Sequence, residues 1–112
     1  MRLGWGEQSV WLREPERALI LDDHPGLFPS LERAVEFILQ HPDSVHVNVR
    51  GVGDYYFIVA AEALRQAGLI RSRRARLIDA VVEFRTVNTG SFLRVFHIAP
   101  TLRNHGGRQL WP

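Results

Sequence analysis

An α+β fold is predicted for this chain: one small domain in the order β-β-α-β-α-β-β, with an antiparallel or mixed sheet and two helices on one face. Three observations predict it. A capped amphipathic helix follows Ser30, a strictly alternating strand begins at Val45, and an alternating pattern around an Asn-Thr-Gly turn ends near Ile98.

Before the first helix lie two short apolar runs, Val10-Trp11-Leu12-Arg13 and Ala18-Leu19-Ile20-Leu21, separated by Glu14-Pro15-Glu16. Proline presets a turn, so the runs read as a hairpin, with Trp11 in the core. Asp22 to Pro29 carries two prolines and a glycine and reads as a loop. Ser30 is placed to cap backbone amides, while Leu31, Ala34, Val35, Ile38 and Leu39 recur at helical spacing on one apolar face; Pro42 ends the helix.

Val45-His46-Val47-Asn48-Val49-Arg50 then alternates, which puts the valines on one strand face and the polar residues on the other. A second helix is expected from Asp54, with Phe57, Ile58, Ala61 and Leu64 as its stripe and Gly68 as its left-handed stop. The segment from Arg73 to Arg85 fits a helix or a strand. The turn chemistry of Val87-Asn88-Thr89-Gly90-Ser91 and the alternation from Phe92 to Ile98 decide for a long hairpin over Ile78 to Ala99. The ends are expected to be a flexible N-terminus over residues 1–8 and a polar tail over 101–112.

At 112 residues, 46% apolar and 23% charged, the chain suits a single domain with its own core. It has no Cys, which excludes disulfides and thiolate metal sites and favours a reducing compartment. The first residues contain no signal-like apolar run and no stretch approaches a membrane span, so a cytoplasmic protein without membrane contact is expected. All 14 basic Lys/Arg positions are Arg, as a GC-rich bacterial genome would produce, and the net charge is only +2. Composition alone therefore does not make the chain a nucleic-acid binder.

Two polar sets are candidate binding sites. Arg71, Arg73, Arg74 and Arg76 put four guanidiniums within six residues, and such a cluster grips phosphate, nucleic acid or an acidic partner, or is a solvated connector. His46, Asn48 and Arg50 form a row at period-two spacing, neighbours about 6–7 Å apart, able to line a small-molecule or anion pocket or simply to be the wet side of a sheet.

Other signals are weaker. Asp22-Asp23-His24 has metal-ligand residue types, but adjacent residues rarely converge on one ion, and no metal is assigned. Gly51-Val52-Gly53-Asp54 lacks the third glycine of a dinucleotide loop, so no cofactor is expected. No Gly-x-Ser-x-Gly elbow or triad spacing supports nucleophilic catalysis, and no catalytic residue is named. Trp5 and Trp111 lie in polar segments where an aromatic ring docks on the domain or serves a contact. With the uncovered sheet edges they predict a homodimer.

The sequence thus points to a small accessory or interaction protein that binds a protein or anionic partner through the sheet face and the arginine loop. A small enzyme or ligand-binding domain built on His46, Asn48 and Arg50 is the alternative, and nucleic-acid binding through Arg71 to Arg76 is the third.

Overall fold

The computed structural model describes residues 2–3, 6–7, 9–49, 53–88, 90–101 and 108–111. Among them the chain forms β1 (Arg2–Leu3), β2 (Gly6–Glu7), β3 (Ser9–Trp11), α1 (Glu14–Asp23), α2 (Leu31–Gln40), β4 (Ser44–Val47), β5 (Tyr55–Ala60), α3 (Ala61–Gln66), β6 (Leu77–Val87), β7 (Gly90–Thr101) and β8 (Gln109–Trp111). The predicted α+β class is the observed one. A six-stranded sheet runs in the order β3-β7-β6-β5-β4-β8, with β3 parallel to β7 and every other pairing antiparallel. The first two strands form a separate two-stranded ribbon.

α2 follows from its sequence. Ser30 Oγ accepts a hydrogen bond from the Arg33 N–H, and Leu31, Ala34, Val35, Ile38 and Leu39 are all buried on the predicted face. They pack on the sheet side formed by Val45, Phe57, Val59, Ala80, Val82, Leu93 and Val95. The register Val45↔Phe57↔Ala80↔Ile98 carries that apolar layer across four strands. The predicted hairpin is present and longer than expected, from Leu77 to Thr101, with a bulge between Val81 and Val82.

Several elements differ from their prediction. Ala18–Leu21 is helical, not a strand, because Pro15 sits in the first turn of α1, where its missing N–H costs no hydrogen bond, beside Glu14 and Glu16. Tyr55–Ala60 is a strand, not the start of a helix. It lies between β4 and β6 with Tyr56, Phe57, Ile58 and Val59 all buried, so both of its faces are apolar and no alternation marks it. The helix begins only at Ala61, and Gly68 ends the segment in the left-handed region at φ +72° as expected.

Three helices rather than two therefore accompany the sheet among the described residues. α2 packs across β5 and β6, α1 against β7, and α3 beside β5. The C-terminal tail is partly structured, since Gln109–Trp111 pairs with β4. No helix among the described residues is long and apolar enough to cross a membrane.

Candidate functional site

The segment from Gly68 to Arg76 is an ordered basic loop. After the glycine stop, Leu69 and Ile70 are buried, which anchors the entrance in the core. The Leu69 N–H donates to the Leu64 carbonyl and the Arg71 N–H to the Leu27 carbonyl, both at 2.8 Å. Ser72 Oγ accepts from the Arg74 and Ala75 N–H groups at 3.2 and 3.0 Å, closing a serine turn. Arg65 of α3 pins the same turn, because its Nη1 donates to the carbonyls of Ser72 and Ala75 at 2.9 Å each while its Nε holds Glu62. At the exit the Arg76 carbonyl accepts from the Ala61 N–H.

The backbone of the loop is thus tied to the fold at its entrance, its serine turn and its exit, while Arg71, Arg73, Arg74 and Arg76 are exposed. None of these four guanidiniums makes an ion pair to a described residue. All four arginines singled out from the sequence are therefore exposed along this one loop.

The strand row is different. His46 is 3% exposed rather than on a wet face; its ring stacks on Tyr56 at 4.9 Å and 7°, and Nε2 lies 2.8 Å from Ser44 Oγ. The cause is β5, whose Tyr56 stands directly opposite His46 in the register. Asn48 lies just past the end of β4. Its N–H donates to the Asp54 carbonyl and its Nδ2 reaches the Gly53 carbonyl at 3.4 Å, so its side chain helps close the connection to β5. Arg50 lies outside the described residues, as does Trp5. Asp54 caps the sheet rather than a helix, its Oδ2 accepting from the Phe84 N–H at 2.9 Å.

A polar pair that the sequence does not announce joins β7 to α1. Arg94 pairs with Glu16 of α1 and sits 4.6 Å over the Phe96 ring. The hydrogen bond from Arg94 holds the Glu16 carboxyl below its ordinary pKa against the opposing effect of burial. Glu16 Oε2 and Arg94 Nε are buried without a hydrogen-bond partner among the described residues. Trp11, expected in the core, is 50% exposed, with one ring face stacked on Phe92 at 3.9 Å. The sequence signal for this cluster is the Phe92-Arg94-Phe96 alternation, while its partner Glu16 lies in a segment whose sequence reads as a hairpin turn.

The His24 and His97 rings are 6.1 Å apart between centroids, while Asp22 and Asp23 are exposed on the last turn of α1. No group of three potential ligands that could hold a metal ion occurs among the described residues. On the outer side of α2 a shallow cavity of about 170 Å³ is lined by Arg33, Glu36, Phe37, Gln40, His41 and Leu69.

The fold and site together define an α+β domain bearing a braced arginine loop. No family model matches the chain, and no curated protein or solved structure is significantly similar to it.

Proposed function

We propose that this protein is a binding module that holds a phosphate-bearing polyanion on the loop from Arg71 to Arg76. The observation that carries the reading is the pairing of four exposed guanidiniums, none in an ion pair to a described residue, with a backbone fixed by Ser72 and Arg65. A loop ordered before binding loses less conformational freedom on binding, and clustered arginines gain affinity by releasing the counterions of a polyanion. We place the protein in the bacterial cytoplasm, where nucleic acids and polyphosphate supply such partners.

The test is fluorescence anisotropy with labelled polyphosphate and oligonucleotides over a salt series. Binding should weaken as a power of salt concentration, and the double variant Arg73→Glu/Arg74→Glu should lose at least about tenfold in affinity. Binding that ignores both salt and the double variant sinks the proposal.

Self-association is a second reading, favoured by Trp11, 50% exposed at the end of β3, which with β8 is an edge strand of the six-stranded sheet. A homodimer mass is the expected result of light scattering at high micromolar concentration. A monomer mass there removes the reading.

A further inference from the structure

The cavity on α2 lies beside the arginine loop, and its lining is chemically distinct from the loop. Arg33, Glu36, Phe37, Gln40 and His41 recur at the spacing that brings side chains together on one helix face. Leu69 of the loop entrance closes the opposite wall. Arg71 follows two residues later, at most about 7 Å along the chain, and its N–H is fixed to Leu27 just ahead of α2. The chain from Leu69 to Arg71 therefore leads from the cavity wall into the row of guanidiniums.

Within the cavity the half-buried Phe37 ring and the exposed His41 ring lie 5.2 Å apart at 55°. Around them stand a cation, a carboxylate and an amide. Arg33 and Glu36, one turn apart, make no ion pair with each other or with another described residue, so donor and acceptor are both open to a ligand. A volume of about 170 Å³ is well below the roughly 300 Å³ at which clefts begin to enclose a drug-sized molecule. It takes one ring system and leaves the remainder of the ligand outside.

We propose that this cavity and Arg71 form a nucleotide subsite. A nucleobase stacks against Phe37 and His41 and presents its polar edge to Glu36 and Gln40, while its phosphate meets Arg71 and the neighbouring guanidiniums. The inference rests on the arginine-loop reading and names the ligand class that the loop serves. Planar heterocycles with mixed donors and acceptors suit aromatic platforms whatever their sequence, and a base in a duplex cannot reach such a slot. The same chemistry has two sources, a free nucleotide and a nucleotide unit of a single strand.

The experiment compares a labelled single-stranded 10-mer, its duplex and polyphosphate as anisotropy ligands for the wild type, Phe37→Leu, His41→Ala and Arg73→Glu/Arg74→Glu. Circular dichroism melts check each fold, and exposed His41 keeps the test valid if Phe37→Leu is unstable. The single strand should bind tighter than the duplex, and Phe37→Leu and His41→Ala should each lose about tenfold for the single strand, the scale of one lost base–aromatic stack. Both should bind polyphosphate as the wild type does.

Competition by millimolar adenosine or uridine monophosphate would support the subsite with a free nucleotide as its source; single-strand binding that resists them supports a nucleotide unit of a chain. Duplex and single strand binding equally, with no effect of Phe37→Leu or His41→Ala, overturns the subsite and leaves the arginine loop standing. Absence of binding to all three polyanions overturns both.

Discussion

The polar groups on β4 and β7 and those of the 71–76 loop settle their charges in opposite ways. In and just beyond the strands three polar side chains turn to neighbours in the fold: His46 to Tyr56 and Ser44, Asn48, past the end of β4, to Gly53, and Arg94 to Glu16 and Phe96. In the loop the inward work falls to Ser72 and to Arg65, which reaches in from α3, and the four remaining arginines face solvent. Arginines within one chain thus divide into those that hold structure and those that do not. The division predicts where substitution removes stability and where it removes only binding.

The largest stability effect is expected at Arg94. Arg94→Leu leaves the Glu16 carboxylate, in a residue only 9% exposed, without its partner, and should cost about 3 kcal/mol in denaturant unfolding. A pH series sharpens the point. Because Arg94 holds the folded-state pKa of Glu16 below its unfolded value, the pair contributes in full above the ordinary carboxylate range. That contribution fades as pH falls through the depressed folded value. The wild type should therefore lose stability on acidification more steeply than Arg94→Leu; parallel curves would show that the pair is not what makes this region structural.

A smaller effect is expected at the turn into β5. Gly53 has φ +106°, and a Cβ there would lie 2.6 Å from Val81 Cγ1. Gly53→Ala should cost about 2 kcal/mol, through left-handed backbone strain and displacement of β6. A melting temperature within a degree of wild type would mean that the connection closed by Asn48 is loose and that the end of β4 is not tied to β5 and β6.

What the sequence makes legible follows the same physical line. α2 has one buried and one wetter side, so its periodicity is written in the residues, whereas β6 buries Ile78, Asp79 and Ala80 in a row and is legible only through the turn chemistry and the strand pattern that follow it. β5 is buried on both sides and so has no period, and misreading it hid Tyr56, the partner that takes His46 out of solvent. α1 buries only Glu16 and Ile20 while Leu19 is 61% exposed, so its apolar residues do not mark its inner face. In the candidate site the arginine run is legible as a run. Arg65 is not, because its partners Ser72 and Ala75 are set by tertiary structure, and neither is the Phe37–His41 slot, which forms only when Leu69 closes it.

The smallest stability effect is expected where the binding effect is largest. Arg73 and Arg74 are exposed and form no ion pair with a described residue, and the Arg74 N–H donates to Ser72 Oγ, a bond that Glu keeps. Arg73→Glu/Arg74→Glu should therefore change unfolding free energy by less than about 0.5 kcal/mol, the ordinary range for surface substitutions. Relief of repulsion among four like charges acts in the stabilising direction and is weak in solvent. Arg65→Met is the contrasting variant. It frees the Ser72 and Ala75 carbonyls from a charged donor and should cost about 1–2 kcal/mol. It should also weaken polyanion binding, because the partner must then order the loop itself. Paired denaturant curves and anisotropy titrations on the two variants separate the roles. A double reversal as destabilising as Arg65→Met would place Arg73 or Arg74 among the structural arginines and erase the difference between the two regions.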